Sequence, residues 1–275
     1  MNTKQALQYA RTLDIDGLEA QTLLLHVLQR PVYERAWLLV NDTLVLTHEQ
    51  QTRFTDGLKQ LLDNMPIAYL TGVQAFHGLD LQVTPDVLVP RADTETLVDW
   101  ALSLPLAHAH TTVLDLGTGS GAIALALKHK RPAWTVQAAD HSAQALAVAQ
   151  ANAQRMQLEV VFTQSDWFSR VRGKFDLIVA NPPYIAQGDP HLPALVHEPQ
   201  AALVSGLQGL DDLQAIVDQA PFFLKPQGWL LLEHGHDQAA AVCDSLRQKG
   251  YTQVQSRNDL AGIARCSGGM RAEVK

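Results

Sequence analysis

Apolar residues along this chain change their spacing twice, and each change marks a change of architecture. Up to about residue 70 they recur at helical intervals: Leu23, Leu24, Leu25, Val27 and Leu28 follow Asp16-Gly17-Leu18-Glu19, and Phe54, Leu58, Leu61 and Leu62 follow Thr47-His48-Glu49-Gln50. Both tetrapeptides have the form of a capping box, in which two side chains satisfy free amides of a first helical turn. Pro31 is suited to open the segment through Trp37, Leu38 and Leu39, because a first turn does not need the N–H that proline lacks. Four or five short helices are predicted, packed as a bundle. From Pro66 to Arg91 the spacing becomes mainly alternate, with Phe76, Leu79, Leu81 and Val83 punctuated by Gly72, Gly78, Pro85 and Pro90, which is the texture of a hairpin.

After a helix that begins at Thr94, short β-rich runs alternate with helical ones. Strands are predicted at 111–116, 134–139, 158–163, 175–180 and 229–233, and helices from about 121 and over 142–156, 210–225 and 237–249. Two further strands, 251–255 and about 262–266, follow with no helix between them. The pattern predicts an α/β fold: a Rossmann-like, mostly parallel seven-stranded sheet with an antiparallel end hairpin. The expected organisation is a helical bundle over 1–72, a β-hairpin connector over 73–90 and a doubly wound domain over 91–275.

Composition narrows the function. At 275 residues and 47% hydrophobic, the chain can bury a substantial core. A net charge of -7 and a pI of about 5.8, with no Lys/Arg cluster, argue against an electrostatic grip on nucleic acid. The helical segment carries 6 basic and 8 acidic residues and no Gly-rich loop, so it reads as a docking module and not a catalytic one. The first fifteen residues hold no apolar signal core and no apolar run approaches a membrane span, so a cytoplasmic location is expected. Among 11 histidines, the pairs His108/His110 and His234/His236 lack neighbouring cysteines and match no common metal pattern; no metal is expected. Cys243 and Cys266 read as reduced core residues.

Candidate chemistry collects where strands end. Asp115-Leu116-Gly117-Thr118-Gly119-Ser120-Gly121 closes one strand and opens a helix, so three glycines let backbone approach a ligand and aim helix amides at it. The spacing is G-x-G-x-G, whereas a dinucleotide fingerprint places its third glycine at the position held by Ala122. Asp140 ends the next strand, where a carboxylate can accept from both hydroxyls of a ribose, and Asp166-Trp167 follows the third, offering an acid or backbone amide to an adenine edge and an aromatic wall to its face. Each has a bland alternative: Asp140 could cap the helix that follows it, and Trp167 could be core.

Asn181-Pro182-Pro183-Tyr184 follows the buried run 175–180. Two prolines stop a strand and stiffen the turn beyond it. Such a loop presents acceptors: the Asn181 side-chain oxygen and the Pro182 carbonyl can each take one N–H of a planar NH₂ group, while Tyr184 can pack on its plane.

In this order, Gly117, Thr118, Gly119, Ser120, Gly121, Asp140, Asp166, Trp167 and Asn181-Pro182-Pro183-Tyr184 resemble class I S-adenosylmethionine-dependent methyltransferases that modify a planar nitrogen. More narrowly the chain resembles the peptide chain release factor glutamine N5-methyltransferases. That resemblance is carried by Pro66-Ile67-Ala68-Tyr69-Leu70-Thr71-Gly72, Val89-Pro90-Arg91-Ala92-Asp93-Thr94-Glu95, His197-Glu198-Pro199 and Leu232-Glu233-His234-Gly235. It implies S-adenosyl-L-methionine as cofactor and class I release factors as protein substrate. It also implies cofactor contacts from the residues at 117–121, Asp140, Asp166, Trp167 and Asn181, catalytic roles for Asn181, Pro182 and Tyr184, and substrate contacts from Asn181 through Tyr184. Ala92, Gln208 and Gln214 depart from the family pattern, outside the presumed catalytic loop. An adenine-N6 or cytosine-N4 nucleic-acid methyltransferase would use the same Asn-Pro-Pro-Tyr geometry, but needs a basic surface and base flipping. An NAD-dependent oxidoreductase is disfavoured by the glycine spacing, and nothing specific points to a non-enzymatic binding module.

Overall fold

In a computed structural model describing residues 1–106 and 110–273, the amino-terminal segment forms five helices: α1 (Thr3–Thr12), α2 (Gly17–Val27), α3 (Arg35–Val40), α4 (His48–Leu62) and α5 (Ile67–Thr71). Helix α4 begins with the full capping box expected of Thr47 and Gln50. In α2, Asp16 accepts from the amides of Leu18 and Glu19, and a further complete box, Asn2 with Gln5, opens α1. Pro31 does not open a helix: its carbonyl takes the Glu34 amide in a preceding turn, and α3 starts only at Arg35. Leu24, Leu25, Phe54 and Leu58 have no exposed surface and form the centre of this unit's core.

The chain divides into two compact units, Met1–Val73 with Ala194–His197, and Gln74–Pro193 with Glu198–Lys275. The second holds most of a hairpin, β1 (Val73–Phe76) and β2 (Leu79–Gln82), whose turn residues His77 and Gly78 both have positive φ, as a type I′ turn requires. Helix α6 (Glu95–Ser103) follows a 3₁₀ turn over Ala92–Thr94. Then come β3 (Thr112–Leu116), α7 (Ala122–Lys130), β4 (Thr135–Asp140), α8 (Ala143–Met156), β5 (Val160–Gln164), β6 (Phe175–Ala180), α9 (Asp211–Gln219), β7 (Leu224–Glu233), α10 (Ala239–Gln248), β8 (Tyr251–Asn258) and β9 (Ala264–Arg271).

The seven-stranded sheet has the order β5-β4-β3-β6-β7-β9-β8, parallel from β5 to β7 and antiparallel at β9 and β8. Alternate residues of each strand supply two cores. Val113, Val136, Leu177, Val179 and Leu231 face one layer with Trp100 and α7, while Leu114, Leu116, Ile178, Leu230 and Leu232 face the other with α9 and α10. Strand order reverses between β3 and β6, and ligands of such sheets bind beyond the carboxyl ends at that reversal. Register brings those ends level: Leu116 pairs Ala139 and Ala180, Asp140 pairs Gln164, and Ala180 pairs Leu232.

Several element boundaries differ from the sequence reading: β7 starts at Leu224 and not near 229, β8 runs to Asn258, and two further shifts have a clear cause. Helix α9 stops at Gln219 and not near residue 225, because Pro221 cannot donate to a continuing helix; a 3₁₀ turn over Ala220–Phe222 leads straight into β7. Strand β9 runs on through Gly268 and Gly269 to Arg271, beyond the end expected near residue 266. A Cβ on Gly268 would lie 2.5 Å from the Leu230 carbonyl oxygen and 3.1 Å from the Trp100 ring, so glycine is what lets β9 close on β7.

Candidate active site

The Gly-rich turn after β3 folds onto the end of β4 through its own backbone. Gly117 and Thr118 donate to the Ala139 carbonyl at 2.8 and 3.0 Å, Gly119 donates to Asp140 Oδ2 at 2.8 Å, and Gly121 donates to Thr118 O at 2.8 Å. Gly117, Gly119 and Gly121 all take positive φ, at 69°, 54° and 86°, a conformation other residues adopt at a cost. The turn therefore offers a ligand close approach, with four of its amides already committed inside the protein. Beneath it lies Asp115, fully buried, whose Oδ2 accepts from Thr118 Oγ1 at 2.6 Å and the Ala124 amide at 3.1 Å while Oδ1 has no partner. Burial pushes its carboxyl up to about 7, against the pull of those two hydrogen bonds and with help from the Asp140 charge.

Asp140 is clamped on both sides, Oδ2 by Gly119 and Oδ1 by the Ser142 amide at 2.9 Å. Ser142, and not Asp140, caps α8 by accepting from Ala145 N. Each carboxylate oxygen keeps acceptor capacity for a ligand. After β5, the Ser165 hydroxyl donates to Trp167 O at 2.8 Å and accepts from Arg170 N at 2.9 Å, tying off a turn in which Trp167 has a φ of 40°. Its indole Nε1 donates to Asp212 at 3.1 Å, and the ring lies over Gly117, where a Cβ would come within 3.4 Å of it.

Asn181 leaves the end of β6 with its side-chain Nδ2 donating to Thr94 Oγ1 at 3.3 Å. Pro182 is buried, and the largely buried Tyr184 places its hydroxyl 3.4 Å from Glu233 Oε1. Burial, reinforced by the Glu233 charge, pushes the Tyr184 hydroxyl far above its usual range. Gln238 fixes the loop's far side: its Nε2 donates to Tyr184 O at 3.0 Å and Gly209 O at 3.2 Å, while its Oε1 accepts from Gly235 N at 2.8 Å. Opposite, the buried Glu198 carboxylate accepts from the Val89 amide at 3.1 Å and pairs with Arg91.

The Gly-rich turn, the ends of β4 and β5 and the start of the Asn181 loop border one cleft of about 440 Å³. Gly117, Thr118, Gly119, Ser120, Asp140, Asp166, Trp167, Asn181 and Pro183 line it; Gly121, at the start of α7, Pro182 and Tyr184 are not part of its wall. The donor set fits the nucleoside-bearing methyl donor that the resemblance implies, with a close-approach turn, a carboxylate ready for a diol and an indole face in sequence along one wall. Thr94, Arg91 and Pro199 line the same cleft and were not singled out as site residues by sequence reasoning. Val89-Pro90-Arg91 and His197-Glu198-Pro199 were visible as motifs, but nothing in either signals that Arg91 and Glu198 meet. Among the described residues no group of three or more His, Cys, Asp or Glu could hold a metal ion. His234 is buried with its ring nitrogens 2.8 Å from Gly235 O and Ser267 Oγ, and His108 lies outside the described residues. Cys243 and Cys266 are free and buried, as expected.

A family model described as Methyltransferase small domain matches residues 94–208, and one described as PrmC N-terminal domain matches residues 2–72. The release factor glutamine methyltransferase of Pseudomonas aeruginosa is 46% identical over 259 residues, covering 93% of this chain and 92% of that protein. The protein of the same name from Xylella fastidiosa (strain 9a5c) is 44% identical, covering 96% of this chain and 98% of its own length. Among solved structures, a methyltransferase from Pyrococcus furiosus superposes with a TM-score of 0.55 at 20% identity, covering 80% of this chain and 100% of that one, a likeness of fold.

Proposed function

This chain belongs to the release factor glutamine methyltransferases, and we propose that the cleft at the carboxyl edge of its sheet performs that family's reaction with the residues described above. The enzyme methylates the side-chain amide nitrogen, N5, of the glutamine in the Gly-Gly-Gln motif of class I peptide chain release factors, supporting translation termination. S-adenosyl-L-methionine supplies the methyl group from a sulfonium centre that becomes neutral as the methyl leaves. What remains for the protein is orientation, because an amide nitrogen is a poor nucleophile while its lone pair is delocalised into the carbonyl.

Asn181 Oδ1 and the Pro182 carbonyl each accept one N–H of the glutamine amide, holding the nitrogen in line with the methyl group. The Asn181 NH₂ is already committed to Thr94, which leaves its oxygen for this task. Asp140 would receive the ribose hydroxyls, Asp166 and Trp167 would flank the adenine, and the turn at 117–121 would allow close approach to the rest of the cofactor, all from the wall of this cleft. Tyr184, tied to Glu233, stiffens the loop from behind. No side chain has to remove the proton, since an N-methylated amide that still carries it is strongly acidic and water suffices.

The observation that carries this reading is that Asn181 and the Gly-rich turn, at the ends of the adjacent strands β6 and β3, border one cleft. Purified protein incubated with methyl-labelled cofactor should label release factor and leave DNA unlabelled; label appearing only in DNA would overturn it. The net charge of -7 favours a protein substrate over a nucleic acid. No helix of the described residues is long and apolar enough to cross a membrane, and we place the enzyme in the cytoplasm, where release factors work.

The division of labour proposed is docking by residues 1–72, a connector at 73–90 and methyl transfer by 91–275. Support for docking is the exposure of Leu39, Val40 and Val45, at 79%, 83% and 72% of their surface, on the helical unit. The double substitution Leu39→Ser, Val40→Ser should raise KM for release factor several-fold and leave cofactor affinity unchanged. An unaltered KM would remove the docking role from this surface.

A further inference from the structure

Glu233 ends β7 with 1% of its surface exposed, directly behind the loop that carries Asn181. Two hydroxyls lie against it: that of Tyr184 is 3.4 Å from Oε1 and that of Thr94 faces the same carboxylate, while Oε2 has no hydrogen-bond partner. Beyond these, the groups that face it are Asp93 in the 3₁₀ turn before α6, and Arg265 and Cys266 on β9; Arg265 is itself paired with Asp93 and Asp259 at 3.2 Å. A buried carboxylate is an unusual resident of a core and calls for a role.

Thr94 connects it to the chemistry. The Thr94 oxygen accepts from Asn181 Nδ2. A hydroxyl has one hydrogen, and an ionised carboxylate can only accept, so the Thr94 hydrogen points to Glu233. That leaves no donor at Thr94 for the Asn181 oxygen. The amide is therefore locked with its NH₂ inward and its oxygen free for the cleft. If Glu233 became a donor, the Thr94 hydrogen would be released to Asn181 Oδ1, the amide would rotate, and an NH₂ group would meet the NH₂ of the substrate.

Resting on the acceptor role given to Asn181 above, we infer that Glu233 is a positioning residue: acting through the Thr94 hydroxyl, it sets the hydrogen-bond polarity of the Asn181 amide. The device is sensitive to protonation, since burial pushes the Glu233 carboxyl up to about 7, partly offset by its bond to Thr94, and a protonated carboxyl can donate.

Glu233→Gln keeps the shape and supplies a donor. It should lower kcat for release factor about 10-fold or more, as misdirected attack geometry does, with KM and cofactor affinity within twofold of the unsubstituted enzyme. Thr94→Val should do the same, and Thr94→Ser, which restores the hydroxyl, should recover most of the loss. The unsubstituted enzyme should lose turnover as pH falls through about 7, and Glu233→Gln should be flat there. A second readout needs no substrate: in protein labelled with ¹⁵N-asparagine, the Asn181 side-chain amide signal, assigned by its disappearance in Asn181→Ala, should titrate near pH 7 and cease to do so in Glu233→Gln. Turnover within twofold in Glu233→Gln, or a loss matched by a fall in cofactor affinity, would overturn the inference, as would an Asn181 signal that ignores the substitution. Failure of the unsubstituted enzyme to label release factor would count against the proposed reaction instead, and the amide signal would still decide the coupling.

Discussion

Asn181 has a donating and an accepting end, and the chemistry proposed for it needs only the second. Asn181→Ala should lower turnover on the order of 100-fold or more, because loss of one of two acceptors lets the amide nitrogen drift from its line of attack. Cofactor binding should change far less, and near-normal turnover in a single-turnover assay would reduce the loop to a structural element. Asp140→Ala removes a carboxylate that faces the cleft and holds the Gly119 amide. Titration calorimetry should find cofactor binding weaker by about 1.5 to 3 kcal/mol, the worth of hydrogen bonds to a charged group; unchanged affinity would remove it from the ribose. Asn181, Asp140 and Trp167 were legible because each follows an apolar run, where strand ends converge. Thr94 and Glu233 were not: one reads as a helix start and the other as the last residue of a strand, and their relation exists only once β6 and β7 are paired.

Strands and helices were legible wherever one face is apolar and the other is not. The parallel order could be expected from the β/α alternation, and the antiparallel β8 and β9 from the missing helix between them. The sequence reading failed where backbone proximity set the residue type, as at Gly268 in β9, or where the missing N–H of Pro221 ended α9 early. Side-chain stitches between elements were equally hidden. Asn152, fully buried on α8, accepts from Gln82 N at 2.7 Å and donates to Gln82 O at 2.9 Å and Ser120 O at 3.0 Å, joining the hairpin to the Gly-rich turn. In sequence it is one polar position in an alanine-rich helix. Asn152→Ala leaves three backbone groups without these partners, at least one of them buried, and should cost roughly 2 to 3 kcal/mol in urea unfolding. A loss below about 0.5 kcal/mol, the level of an ordinary surface substitution, would mean that water replaces the asparagine.

For the molecule as a whole, two fully buried carboxyls govern the response to pH. Asp115 and Glu233 are each pushed up to about 7 by burial, whereas in the unfolded chain they titrate near 4. Between those values the folded state holds protons that the unfolded state has released, so their contribution is complete in acid and is lost as pH rises through about 7. Asp176, whose burial is outweighed by its bonds to Lys225 and Thr112, acts with the opposite sign and loses its contribution as the solution becomes strongly acidic. Stability should therefore fall between about pH 4 and pH 7 and level off above that. Asp115→Asn should flatten that fall by an amount on the order of a few kcal/mol, measured by denaturant midpoints across the range; an unchanged slope would place the effect elsewhere. The same molecule is uneven in another respect. The Gly119 to Asp140 bond of the cofactor side spans 21 residues, whereas Asn181 is oriented by Thr94 across 87 and Tyr184 is held by Glu233 across 49. Loops of short span close early in folding and long ones late. A chain emerging from the unfolded state should thus join the Gly-rich turn to Asp140 before it orients Asn181, and the acceptor offered to glutamine would be among the last parts of the cleft to mature.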